Sequence, residues 1–142
     1  MKQSSRIICI VNVLLWAIPL FAYAAEESFG QREFRTRCAM CHGTAGRGDG
    51  WLGEQLIKRP PPLTQLKKSN GGTFPRERVA QVIDGRTLTT SHGPREMPVW
   101  GAIYRSEIEA ATGARRGVRE EDEVNISYRI QALIEYLVTI QE

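Results

Sequence analysis

The chain has 142 residues, one domain by size, and 25% of them are charged. Its 19 basic and 16 acidic residues leave a formal charge of +3, too modest to argue for nucleic acid or anionic lipid as a partner.

Lys2 and Arg6 make a positive start, and Ile7 to Phe21 is an apolar run broken only by Asn12 and Pro19. Ala22-Tyr23-Ala24 follows with the small-x-small pattern that a signal peptidase cuts after. Residues 1–24 are therefore read as a secretory signal peptide and residues 25–142 as the mature domain. The apolar run is short for a full span, so no stable membrane insertion is expected once it is cut. Cleavage removes Cys9, Lys2 and Arg6 but no acidic residue, so the charge falls from +3 to +1. The roughly 118 residues left can build a small core, though not a generous one.

Glu26 to Met40 reads as the first helix. Phe29 and Phe34 bracket Gly30, and Arg32, Glu33, Arg35 and Arg37 fill the other positions. Two readings of Gly30 stand side by side. It permits a close helix-to-helix approach, or the helix starts only near Gln31. The helix leads into Cys38-Ala39-Met40-Cys41-His42. Cysteines at i and i+3 lie on nearly the same helix face, where each thiol adds across one vinyl group of a haem. The histidine that follows offers an imidazole nitrogen to the iron, so C-x-x-C-H points to c-type haem attachment. A thioredoxin-like pair wants a strand-to-helix junction, and none is visible. A structural zinc site wants more ligands, and after cleavage no further cysteine remains. Haem attachment and export agree, because maturation needs free thiols outside the cytoplasm.

Gly43 to Gly50 is too rich in glycine to continue the helix and reads as a tight loop folding back over one haem edge. Trp51 to Ile57 is a short helix candidate, stopped by Pro60-Pro61-Pro62. A carbonyl of that extended run is either an acceptor for the His42 Nδ1 proton or part of a plain polyproline turn. Asn70-Gly71-Gly72 is a turn, and Thr73 is expected to cap a helix that carries Val79, Val82 and Ile83 on one face and ends at Gly85. Arg86 to Glu96 is polar and without period. Ile103 to Ala111 is expected to be helical, followed by a Gly- and Arg-rich break over Thr112 to Val118. Glu120 to Glu123 suits a helix N-terminus. The last helix carries Ile126, Ile130, Leu133, Ile134, Leu137 and Val138 at helical spacing. Every clear element is helical.

The second axial position decides the chemistry. The mature chain offers Met40, Met97 and His92. Met40 sits inside the attachment motif, too close to reach the opposite face. Met97 ends a long loop, with Pro98 keeping it out of helical conformation. It is the expected ligand, with His92 or an open site as the alternatives. Methionine raises the potential relative to a second histidine, and a closed six-coordinate site passes electrons and does little else.

Several segments fall in a familiar order. They are Gly30…Phe34…Cys38-x-x-Cys41-His42-Gly43, Gly46-x-Gly48-Asp49-Gly50, Pro61-Pro62-Leu63-Thr64, Met97-Pro98-x-Trp100-Gly101 and the terminal helix with Tyr136. Together they resemble a bacterial class I monohaem cytochrome c over nearly the whole mature chain. The resemblance implies a small all-α fold wrapped around one covalently attached haem, its first and last helices crossing as Gly30 and Phe34 meet the last helix near Tyr136. It implies Cys38 and Cys41 as haem thioethers, His42 and Met97 as axial ligands, and a proline carbonyl of residues 60–62 on His42. Two stretches depart from the pattern. Gly43–Pro60 is longer than in the mitochondrial type, and Ile103–Glu123 exceeds what a minimal member needs.

The reading is a non-enzymatic periplasmic carrier between a dehydrogenase or quinol-oxidising complex and a terminal oxidase or reductase. Its partners would be redox proteins; Arg86 and Arg95 read first as solvated surface arginines, with haem propionates or an acidic partner as the alternatives. The alternatives are a haem enzyme or sensor with a displaceable sixth ligand, for which His92 is the natural distal group, and a haem subunit of a larger oxidoreductase.

Overall fold

A computed structural model describes residues 26–86, 96–113 and 119–142. The stretch read as a signal peptide, His92 and Arg95 lie outside the described residues. Among those described the secondary structure is helical, with no strand.

Helix α1 is built from three consecutive segments, Phe29–Glu33, Phe34–Cys38 and Ala39–His42. It starts later than the sequence predicts, because the Ser28 hydroxyl accepts the Gln31 N–H at 3.1 Å and caps it at Phe29. Its middle segment is a π turn, where the Ala39 N–H donates to the Phe34 carbonyl five residues back. That wider turn falls just before the attachment motif, and nothing in the sequence announced it.

The loop after α1 is held by its own backbone. The Gly48 N–H donates to the His42 carbonyl at 2.8 Å, and the Leu63 N–H to the Gly46 carbonyl at 2.7 Å. Gly48 has φ +79°, and a side chain there would run into the Pro60 carbonyl, so only glycine fits. The helix expected over Trp51–Ile57 is reduced to a 3₁₀ turn at Gly53–Gln55. A second 3₁₀ turn, Leu63–Gln65, opens into the short helix α2, Leu66–Ser69.

Helix α3 is Arg76–Asp84, ended by Gly85 in the left-handed conformation as expected. Its cap is Pro75 and not Thr73, whose carbonyl instead accepts from the Asn70 side chain at 2.8 Å. Proline suits a helix start, where its missing N–H has no partner to lose. Helix α4, Trp100–Thr112, begins three residues earlier than predicted and ends at Gly113. Helix α5 is Glu120–Thr139, and the Asp122 carboxylate accepts the Arg119 N–H at its first turn.

Helix α5 packs against α1, α3 and α4. Its stripe supplies the buried Ile126, Ile130, Leu133, Ile134 and Leu137, which meet Phe34, Val79, Ile83 and Tyr104. The crossing with α1 settles the two readings of Gly30. The residue lies inside the helix, and a Cβ on it would overlap the Ala132 carbonyl of α5. Phe34 meets Tyr136 with ring centroids 5.1 Å apart at 47°, a tilted pair. Gly30 therefore touches α5 about one turn before Tyr136.

Candidate functional site

The last turn of α1 carries Cys38, Cys41 and His42, and both cysteines are free thiols. Burial pushes the Cys38 thiol up to about 12, the Glu33 charge adding to the effect and Arg37 opposing it. A redox-active C-x-x-C needs the opposite, a thiol drawn down towards its thiolate. Two free thiols one turn apart on one helix face suit haem attachment instead.

Alongside this turn runs a cleft made of two adjoining cavities, about 480 and 580 Å³ in volume. Cys38, His42, Pro61, Val82 and Met97 line both. Phe34, Leu63, Leu66, Val79, Leu133 and Leu137 wall the first, and Met40, Leu52, Leu56, Pro98 and Trp100 wall the second. The cleft thus brings together all four residues expected at the site from two distant stretches of chain. Met97 is partly buried and packs against the apolar core just ahead of α4.

Burial lowers the His42 pKa, so the imidazole stays neutral and keeps a lone pair to donate. Its Nδ1 is buried without a hydrogen-bond partner among the described residues. The hydrogen bond to a proline carbonyl is thus not formed. The Pro60 carbonyl lies against Gly48, and the Pro62 carbonyl accepts from Gln65 at 3.5 Å. Arg86 is also not the solvated arginine expected first, since its side chain is 24% exposed and bonds Asp84 at 2.6 Å and Glu123 at 2.8 Å within the chain.

One group of residues was not anticipated. Glu33, one of four charged residues of the first helix that the sequence does not tell apart, is buried with Tyr104, which is 0% exposed. The Tyr104 hydroxyl donates to Glu33 Oε2 at 3.2 Å, and the Arg129 guanidinium carbon lies 3.8 Å from the centre of the Tyr104 ring. Burial, reinforced by the Glu33 charge, pushes the Tyr104 phenol well above its ordinary value and keeps it a donor. The i, i+4 spacing of Glu33 with Arg37, and the shared face of Trp100, Tyr104 and Glu107, were the available signals. The stretch that exceeds a minimal family member therefore has a place in the fold, since it supplies Tyr104 to the core and Glu107 to Arg37 and Arg129.

The fit to a haem rests on these observations: two free thiols one turn apart, a neutral imidazole with an orphaned nitrogen, an apolar two-part cleft, and a thioether on it. Cys38 and Cys41 would hold the group covalently. A family model described as cytochrome c matches residues 28–112, from the cap of α1 to the end of α4. No curated protein and no solved structure gives a significant match. The family implies a covalently attached c-type haem and electron transfer. With the helical fold, the attachment turn and the matched span in agreement, the chain belongs to the cytochrome c family.

Proposed function

We propose that this chain is a periplasmic carrier of single electrons, with one haem attached through Cys38 and Cys41 and ligated by His42 and Met97. The observation that carries the reading is the shared cleft, lined by His42 from the end of α1 and by Met97 from the segment ahead of α4. When bound, the haem supplies a reversible one-electron couple at its iron.

The protein contributes position and environment. Cys38 and Cys41 fix the group to α1, and the neutral His42 imidazole offers its lone pair from the same turn. Met97 offers a thioether, which favours the reduced form relative to a second histidine. Leu63, Leu66, Val79, Leu133 and Leu137 keep water from one part of the cleft. Such a site favours outer-sphere electron transfer over substrate chemistry.

The mouth of the second cavity suggests where partners dock. Met40 borders it, and Trp51 and Ile57, 63% and 99% exposed, adjoin its lining residues Leu52 and Leu56 in the chain. Lys58 and Arg59 stand beside them. Such an apolar patch with a basic rim suits transient redox proteins, a dehydrogenase or quinol-oxidising complex on one side and a terminal oxidase or reductase on the other. The signal peptide reading of residues 1–24 supplies the compartment.

Optical spectra of the exported, haem-loaded protein test the proposal. A ferric sulfur–iron band in the red, lost in Met97→Ala, and a ferrous spectrum indifferent to carbon monoxide are expected. A wild-type ferrous spectrum that shifts with carbon monoxide would overturn permanent Met97 ligation and favour a haem enzyme or sensor.

A further inference from the structure

The charged residues behind the cleft form a closed ring. Helix α1 supplies Glu33 and Arg37, α4 supplies Glu107, and α5 supplies Arg129. Arg37 reaches Glu107 at 2.7 and 3.2 Å and Glu33 at 3.1 Å. Arg129 reaches Glu33 at 3.0 and 3.1 Å and Glu107 at 3.0 Å. The charges alternate round the ring and cancel. Tyr104 packs inside it, bonded to Glu33 and covered by Arg129. Arg37 grips Glu107 with both terminal nitrogens and Arg129 bridges Glu107 and Glu33, and such charge-assisted bonds fix direction as well as distance, which apolar packing does not.

The ring's position gives it a role beyond holding helices together. Arg37 immediately precedes Cys38, lines the cleft, and lies 5.9 Å from the ring of Trp100, which lines it too. Trp100 is the first residue of α4, three residues after Met97. One end of the ring is therefore built into the helix that bears His42, and the other into the helix that the Met97 segment leads into. We propose that the Arg37–Glu33–Arg129–Glu107 ring is a positioning clamp that holds the Met97 segment at a fixed distance from the His42 wall of the cleft. The proposal rests on Met97 being an axial ligand. Loosening the clamp would let the thioether leave the iron more often, at unchanged chemistry of the ligands themselves.

The test is titration of imidazole into the ferric, haem-loaded protein, followed by loss of the sulfur–iron band. Glu107→Gln opens the ring while keeping side-chain shape, and is expected to bind imidazole about tenfold more tightly than wild type. Arg37→Lys keeps the charge but loses the fork, and should move the affinity in the same direction by about twofold or more. It decides the matter if Glu107→Gln does not fold. Ile126→Val loosens the core away from the cleft, and should lower the melting temperature with imidazole affinity unchanged. Wild-type affinity in both ring variants would overturn the clamp, whatever their melting temperatures. Met97→Ala separates this from failure of the ligand assignment. If it abolishes the band while the ring variants do not move, only the clamp falls. If it keeps the band and the affinity, the ligand reading falls and takes the clamp with it.

Discussion

Helix α1 is joined to the rest of the fold in two ways, and the contrast explains how the site is held. Near its start the contact with α5 is apolar and close, Gly30 against Ala132 and Phe34 against Tyr136. On another face of the same stretch, Glu33 and Arg37 enter the charged ring with Glu107 and Arg129. The apolar crossing resists separation through its area, but says little about rotation or sliding. The ring has the opposite character. Burying two ion pairs adds little net stability, yet breaking one leaves a charge stranded. Stability and register are thus divided between two faces of one helix.

The comparison is broken most severely at Gly30. Gly30→Val places two methyl groups where the Ala132 carbonyl stands, and the helices must part. A loss of about 4 kcal/mol or more is expected in chemical denaturation, enough to unfold a domain this small. Second comes Glu33→Gln, which takes from Arg129, whose side chain is 13% exposed, the more enclosed of its two carboxylates and leaves it Glu107. About 3 kcal/mol should be lost. The sharper form replaces the pair together, Glu33→Leu with Arg129→Met. If the ring serves register more than stability, the double variant should recover much of that loss. An undiminished loss would mean that the ring is a main stabiliser.

The two contacts also differ in how far the sequence revealed them. The C-x-x-C-H motif was legible because Cys38, Cys41 and His42 lie within one turn, so its reading depends on local spacing alone. The stripe of α5 and the stop at Gly85 were legible for the same reason. The Gly30 crossing was visible only as one of two readings, because it depends on a partner helix about a hundred residues away. The Ser28-x-x-Gln31 capping pattern was there to be read, yet the apolar spacing set the helix start too early. Thr73 was outbid as a cap by Pro75, since both residue types suit a helix start. Met97 emerged by elimination among few candidates and from Pro98, and the shared cleft brings it to His42. The ring was hidden altogether. Its members come from three helices between residues 33 and 129, and Glu33 is indistinguishable in sequence from its exposed neighbours.

Acid offers a gentler way to open the ring. Burial alone would raise the Glu107 pKa, but hydrogen bonds from Arg129 and Arg37 and their charges outweigh it, and the net shift is downward from 4.5. A carboxylate depressed on folding contributes stability that is complete above its unfolded pKa and is lost as pH falls through its folded one. Wild-type melting temperature should therefore fall more steeply below pH 4.5 than that of Glu107→Gln, which has no such group to protonate. Parallel curves for the two proteins would remove Glu107 from the acid response.

The smallest effect is expected at the exposed ion pair between Arg76 of α3 and Glu135 of α5, which is as short as the ring's own at 2.7 Å. The hydrogen bond to Arg76 lowers the Glu135 pKa, Gln131 adding to it, and Glu135 raises that of Arg76. Yet both side chains stand about half exposed, where water and salt screen the attraction and ordering two long side chains offsets the rest. Arg76→Gln should leave the denaturation midpoint within experimental scatter and the imidazole affinity unchanged. A measurable loss here, of the size seen on opening the ring, would mean that bridge length decides the energetics of this fold. The expected silence would mean that enclosure does, and that the same kind of bond has consequences at Arg129 and Glu33, whose side chains are only 13% and 11% exposed.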